Sequence, residues 1–482
     1  MSELTRGDFL RLLGGGAVVL AGGHRLTDAR SATKPPPEHT VHTYVSRPDL
    51  RPPVVSVTRK GPVAYGLLFL GPFHAPEQQG ALIVDNSGEP VWFHRTGKSA
   101  VTNLRVAVFE GKPVLTWWEG ATRQGLGEGA FVIADQRYRE IARFDAAAGR
   151  PSDLHEMILT PHGTALVSSY ETHPADLTSV GGPKKGQVVG GVVQELELPS
   201  GRRLFEWKSL GQVKIGEAHQ PVAKGPYDYF HLNSIEPMPD GSVLVSGRNT
   251  WAVYLVDHGS GEVRWRLGGK KSDFAMGPGT RFAWQHDARW HGTGEVSLFD
   301  NGAAPKVHRE SRGVRLAVDT KRMRARLLHA YTHAPSVLGI ALGSVQRLAN
   351  GNWLVSWGTA PYFTEFGPDG RVRLDGALPD ERWTYRTLRF PWVGRPIDRP
   401  EAAVRTTTGS SYLHVSWNGA TEAVAWALHT GATAGALARS ATHPKLGFET
   451  ALELPPTARY AAAVALDRSG AKLGQSPTIR VT

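Results

Sequence analysis

The chain has 482 residues, 40% hydrophobic and 21% charged, which is the balance of a globular protein of two or three domains and not of a disordered one. It contains no cysteine, which excludes disulfides, thiolate metal sites, a cysteine nucleophile, a lipid-modified N-terminal cysteine and a sulfatase whose nucleophile is made from cysteine. The net charge of +11 comes from scattered arginines, with one short basic stretch at 322–326, a pattern that suits solubility or anionic small ligands and offers no nucleic-acid patch.

The N-terminus reads as a targeting segment. Thr5-Arg6-Gly7-Asp8-Phe9-Leu10-Arg11 precedes a glycine-rich apolar run at 12–23, too short for a membrane span of about 20 residues. Phe-Leu after an arginine is similar to a twin-arginine export signal in which Gly7 stands where the second arginine belongs. Leu20-Ala21-Gly22-Gly23 is similar to a lipobox that has lost its cysteine. Export is the expectation, with a cytoplasmic protein carrying a decayed signal as the alternative. Residues 1–37 are therefore set apart, the last of them the stiff linker Pro35-Pro36-Pro37. Nothing later is long and apolar enough to span a membrane.

From there one unit recurs. The stretch 231–269 reads as four short strands with tight turns at Asp240-Gly241 and near Ser260-Gly261. The same grammar returns at 66–94, 103–144, 155–207, 286–331 and 343–374, which with the first makes six units. Four-strand units at this spacing predict an all-β fold, a six-bladed β-propeller over 38–396. After Pro396 the composition turns to alanine, threonine and serine. Alternation at 412–417 and 460–466, with Trp417 and Tyr460, predicts a fibronectin type III-like or immunoglobulin-like sandwich over 401–482. The alternative is a β-rich extension packed on the propeller.

Three histidines occupy equivalent places. His155, His231 and His286 each open a unit, and the glycine of the next turn follows 8, 10 and 8 residues later. First strands of propeller blades line the central channel, so these positions converge. Asn103 and Gly343 fill the matching slots of two other units, so the histidines are not a repeat-wide structural device. Hairpin arithmetic brings Arg248 level with His231, and Asn233, two residues on, shares its face. Imidazoles, a guanidinium and an amide around one mouth make a socket for a tetrahedral oxyanion. Glu156 and Asp287, adjacent to two of the histidines, face the other way and read as second-rank groups or blade-edge hydrogen-bond acceptors. Trp284, Trp290, Trp357, Tyr362 and Phe363 are candidates for stacking on a ring, with core roles expected for most of them.

Other chemistries have no seat. His308, His329 and His333 lack fixed spacing, and there is no His-Glu-x-x-His, so no metal is expected. The glycine-lysine run at 181–186 lacks the spacing of a phosphate loop and reads as a flexible insertion. No Gly-x-Ser-x-Gly elbow occurs, and no cofactor or nucleotide donor is expected.

Asp153-Leu154-His155-Glu156, His231-Leu232-Asn233-Ser234-Ile235-Glu236 and the Val-Asp and Trp-Arg-Leu-Gly-Gly of 251–269 stand in a specific order. Phe282-Ala283-Trp284-Gln285-His286-Asp287-Ala288, the tryptophan-rich run 350–358 and Pro391-Trp392-Val393-Gly394 extend it. Together they resemble the arylsulfotransferase family, propeller enzymes that move sulfuryl groups between phenols without a nucleotide donor, over about 63–396. The resemblance implies an aryl sulfate and a phenol as small-molecule partners and His286 as the nucleophile. It implies that His155, His231, Asn233 and Arg248 hold the sulfuryl oxygens or handle the phenol proton. The tail, the truncated signal and the absence of an N-terminal sandwich depart from the better-known periplasmic members and leave acceptor and oligomeric state open. A lyase or hydrolase on the same scaffold, or a non-catalytic anion-binding propeller, are the alternatives.

Overall fold

The computed structural model describes residues 40–73, 78–379 and 382–481; the signal-like segment and proline linker lie outside the described residues. Apart from the two short 3-10 turns Thr178–Val180 and Ile215–Glu217, the regular structure described is all strand. The class is all-β, as expected.

Six sheets fill 56–390, one for each of the six sequence units, antiparallel except for the two-residue strands Tyr227–Asp228 and Ala275–Met276, which add parallel to two of them. In five of them the chain enters at one edge and meanders outward. The entering strands are Ala100–Phe109, Met157–Leu159, Leu232–Pro237, His286–Trp290 and Ser344–Arg347. The remaining sheet is built from both chain ends: Leu388–Phe390 pairs with Leu67–Leu70, which continues to Gln79–Val84 and Pro90–Gly97. Ser56–Arg59 in turn joins the outer edge of the last sheet, beside Val372–Ala377. These two exchanges tie the ends of the ring together with backbone hydrogen bonds.

Entering strands touch in a closed order. Leu388–Phe390 meets Ala100–Phe109, then come Met157–Leu159, Leu232–Pro237, His286–Trp290 and Ser344–Arg347, and Trp353–Ser356 of that last sheet returns to Leu388–Phe390. Each neighbouring pair of sheets also shares a core. Leu244, Val253 and Leu255 pack on Val296, Leu298 and Val314, for example, and Phe69, Ile83 and Trp92 on Leu115 and Trp117. Covered on both faces, middle strands such as Val243–Gly247 and Ala252–Val256 are buried throughout, whereas the outer Val263–Gly268 regains alternation. The hairpin of 164–197 is longer than its neighbours. Thr164–Ala175 and Gly186–Glu197 pair over all 12 residues, so 172–190 is a β-arm and its tip, not an irregular insertion.

The tail forms two further sheets. One holds Glu401–Thr407, Ser410–Ser416 and Glu449–Glu453; the other holds Ala438–Pro444, Ala425–Gly431, Tyr460–Leu466 and Lys472–Gln475, with Ile479–Arg480 beside it. They share a core of Leu413, Val415, Leu428, Leu452 and three alanines of the Tyr460 strand around Trp426. Trp426 is the core tryptophan; Trp417 lies just past its strand, half-buried, donating Nε1 to the Asp398 carbonyl at 2.6 Å. The tail is docked rather than appended. Phe448 enters a core with Tyr44, Leu50 and Phe93, and Asn418 bonds both backbone groups of Phe93 at 2.9 Å.

Candidate functional site

His155, His231 and His286 line one small pocket with Phe73, Thr122, Gly125, Leu154, Ala341 and Leu342. Only His286 lies within its strand. His231 directly precedes Leu232–Pro237, and His155 sits in the turn before Met157–Leu159. The backbone there is bent. Register shifts interrupt pairing between Leu232 and Ser234 and between His286 and Arg289. His231 at φ 53°, Asp287 at 57°, Leu342 at 64° and the equivalent Asn103 at 55° all adopt the left-handed region that side chains disfavour. Strain of this kind costs of order 1–3 kcal/mol per residue and persists where the surroundings over-determine it.

Each imidazole is held at Nδ1 by one side-chain oxygen, and the oxygens differ. His155 Nδ1 contacts Asp153, whose carboxylate also accepts the His155 backbone N–H at 2.9 Å. His231 Nδ1 lies 2.5 Å from Asp228 Oδ2, and its backbone N–H reaches Oδ1 at 3.0 Å. His286 Nδ1 lies 2.7 Å from Asn301 Oδ1. The Asn301 amide is oriented by its own donors, which go to the Gly339 and Leu342 carbonyls at 2.6 and 3.0 Å. Its oxygen therefore accepts, His286 carries its proton on Nδ1, and the Nε2 lone pair accepts only a long bond from the Leu342 N–H, at 3.3 Å, which an incoming sulfur must displace. The His155 and His231 rings meet edge to face at 4.8 Å, walled by Tyr170 and Tyr385.

Burial governs the electrostatics of two of the three histidines. Burial first, and then the Arg248 charge, hold His286 well below the ordinary histidine value, against its bond to Asn301. Burial lowers His231 too, outweighing the opposing Asp228 carboxylate. His286 is thus a neutral base at neutral pH with a fixed tautomer. Arg248 is buried and lies over the Trp284 ring at 4.9 Å, with Nη1 on Asn249 and Nη2 on the Ile340 carbonyl. Its Nε has no partner among the described residues, and burial brings the guanidinium down to about 10, so it remains a cation.

Hairpin arithmetic placed the Arg248 backbone level with His231, whose carbonyl accepts its N–H at 3.0 Å, but Arg248 is not among the residues lining the pocket. For Asn233 the intervening register shift breaks the alternation. Its amide donates to the Gln285 carbonyl at 2.6 Å, and it is not among the residues lining the pocket. Of the proposed stacking residues none lines it either. Trp357 and Phe363 are core, Tyr362 stacks on His333, Trp284 takes Arg248 and Trp290 lines a different cavity.

Glu156 and Asp287 do turn away from the pocket, and Asp287 accepts the Val345 N–H of the next sheet's entering strand at 3.0 Å, as a blade-edge acceptor would, but both carboxylates do more. They bind Arg386, at 2.9 and 3.3 Å, and Arg289, in a buried cluster where the entering strands converge. Arg386 also donates to Asn103 Oδ1 and to the Asn233 carbonyl, and so forms a floor beneath the pocket. Sequence reasoning missed Asp153, Asp228, Asn301, Tyr170, Tyr385 and Arg386. The first three had a signal. The carboxylates lie two and three residues before their histidines, and Asn301 lies just past the strand paired with His286, as Arg248 does with respect to His231.

The model of the family described as "Arylsulfotransferase (ASST)" matches 105–378, more than half of the chain. No curated protein matches. Among solved structures, a protein of unknown function from Bacteroides caccae has a TM-score of 0.42 at 14% identity, covering 68% of this chain and 99% of that one. A streptogramin B lyase has a TM-score of 0.33 at 9% identity, covering 74% and 93%. A catalytically inactive virginiamycin B lyase from Staphylococcus aureus with quinupristin has 0.34 at 8%, covering 74% and 95%. At TM-scores below 0.5 these likenesses say nothing of this chain's activity. The family match runs through all three histidines, Asn233, Arg248 and Asn301, and on it the chain belongs to the arylsulfotransferase family.

Proposed function

We propose that this protein transfers a sulfuryl group from an aryl sulfate to a phenolic acceptor through a covalent intermediate on His286. Family membership supports a sulfotransferase. The observation that carries the finer reading is the difference in partners, Asn301 on His286 against Asp153 and Asp228 on the other two histidines. A nucleophile must keep its lone pair. An amide oxygen fixes the tautomer without drawing a second proton onto the ring, whereas a carboxylate favours the imidazolium.

In the first half-reaction the Nε2 lone pair attacks sulfur, the S–O bond to the ring breaks, and the electron pair leaves on the phenolate. The phenolate takes a proton from His155, whose Nδ1 is held by Asp153, and departs as phenol. In the second half-reaction His155 takes the proton of the incoming phenol, the phenolate oxygen attacks sulfur, and the S–N pair returns to Nε2. A phenol's ordinary pKa near 10 makes it a workable leaving group where an alkanol is not. Arg248, His231 and the Leu342 N–H oppose the charge that builds on the sulfuryl oxygens. Asn233, bound to the Gln285 carbonyl, steadies the bend that carries His231. Phe73 and the hairpin tip at Thr122 and Gly125 close the pocket to about 20 Å³, so an aryl group enters only as they give way.

The six sheets are read as blades of a β-propeller over 38–396, which the closed order of strand contacts and the six inter-sheet cores support. The tail over 401–482 is read as a fibronectin type III-like sandwich, supported by its sheets of three and four principal strands around Trp426. Export remains part of the proposal on the strength of the N-terminal segment, and cell fractionation tests it. No helix among the described residues is long and apolar enough to cross a membrane.

Incubation with a nitrophenyl sulfate and a second phenol should release nitrophenol and sulfate the acceptor, with His286→Ala inactive. Turnover independent of an acceptor, or of sulfate on the substrate, favours a hydrolase or lyase instead.

A further inference from the structure

The entering strands have a second end. His286 begins its strand and Trp290 finishes it, and four residues of strand span about 13 Å when fully extended. Trp290, Glu236 near the end of Leu232–Pro237, and Leu388 of the closing strand line a cavity of about 680 Å³ on the far side of Arg386 from the histidines. Four guanidinium groups face it, those of Arg105, Arg289, Arg347 and Arg386.

Their charges are unevenly met. Arg289 is satisfied by Asp287 and Glu236, at 2.8 and 2.9 Å, and by Glu156; Arg386 shares Glu156 and Asp287. These carboxylates hold both guanidinium groups above their ordinary value. Arg105 has only a distant approach to Glu156, at 3.7 Å, with no hydrogen bond, and burial lowers it. Arg347 is exposed and has no ion pair or hydrogen bond among the described residues. The remaining titratable groups are Glu236, already paired with Arg289, and His291. Burial raises Glu236, and it brings His291 down to about 4, which leaves that imidazole neutral with Nε2 on Ser297 Oγ. Two cationic forks with unused donors therefore open onto one cavity whose carboxylates are already engaged. Trp290 and Phe390 supply an apolar wall beside them.

We propose that this cavity is a second anion site, which takes a tetrahedral oxyanion, sulfate or phosphate, between Arg105 and Arg347. A planar guanidinium offers paired N–H donors to such an oxyanion, and low local polarity strengthens each bond. The site is separate from the histidine pocket and does not depend on the chemistry assigned there.

Calorimetric titration with sodium sulfate, against sodium chloride of equal ionic strength, tests it. The wild-type protein should bind sulfate saturably beyond the chloride control. Arg105→Gln and Arg347→Gln should each weaken that binding about tenfold, the loss of one charge-assisted contact, while sulfuryl transfer at low sulfate stays unchanged. Arg248→Gln should leave the binding in place. Arg347 has no partner to lose, so that variant decides the matter if Arg105→Gln fails to fold. Sulfate binding that survives Arg347→Gln but is lost in Arg248→Gln puts the anion in the histidine pocket and overturns the proposal, as does the absence of saturable binding.

Discussion

The two ends of the entering strands treat ionisable side chains in opposite ways. At the histidine end each imidazole is held at Nδ1 by a single side-chain oxygen, and all three rings line the pocket. At the far end guanidinium and carboxylate groups bind one another, and Arg386, with its side chain 1% exposed, joins four protein groups at once. Losing one member of such a buried network costs about 3–5 kcal/mol, because its partners are left charged and unpaired. The network therefore acts as a rigid base, while the histidine end keeps spare donor and acceptor capacity for a substrate. Buried charge alone does not mark a reactive site; unused valence does.

That contrast can be broken from the histidine end. Arg248→Lys keeps the charge but loses the planar fork and the flat contact with Trp284, and transfer should fall by roughly a hundredfold, as when one preorganised oxyanion donor is removed. Steady-state kinetics with a nitrophenyl sulfate measures this, and a wild-type rate assigns the guanidinium a purely structural part. Asn301→Asp should have a smaller, pH-dependent effect. His286 sits below its ordinary value, so its lone pair stays available as pH falls, and the acid limb of kcat/KM should lie below the ordinary histidine value of about 6.5. A carboxylate at 301 favours the protonated ring and moves that limb upward by about one unit or more, with partial recovery at high pH. An unshifted limb removes Asn301 from the account.

Removing the tail should have the least effect on chemistry. A chain ending near Pro400 loses the Phe448 contact, worth about 2 kcal/mol of burial, the Asn418 bonds to Phe93, and the bonds by which Glu449 accepts the Val45 and Ser46 N–H groups at 3.2 and 2.7 Å. It should melt earlier yet turn over within about threefold of the full chain, since no tail residue lines the histidine pocket. A folded truncation that has lost more than tenfold makes the tail part of the site.

The six units were legible because each carries its own turn glycine and short alternating strands. Gly163, Gly241 and Gly294 all take the positive φ that such turns need. The exchange of chain ends was not legible, because Ser56–Arg59 and Leu388–Phe390 are too short to show a pattern and their pairing partners are all more than 300 residues away. Arg248 was found by hairpin arithmetic, and the same arithmetic applied to His286 reaches Asn301. Asn233 was misplaced where a local register shift breaks the alternation the argument relied on, whereas the two carboxylates face away as expected and only their arginine partners were missed. Arg386 gave no signal at all. It comes from the segment between the last sheet and the closing strand, where only three-dimensional closure brings it to the centre. Trp417 misled because nearness to a strand is not burial, and Trp426 on the next strand is the residue the tail is built around.

The central claim is covalent. Protein mixed with an aryl sulfate and no acceptor should gain the mass of one sulfuryl group, on the peptide that carries His286, and lose it when phenol is added. His286→Ala should gain nothing, while His155→Ala and His231→Ala should still label, more slowly. An adduct on His155 or His231, or full turnover with no adduct at any time, contradicts the assignment of the neutral, asparagine-held histidine as the nucleophile.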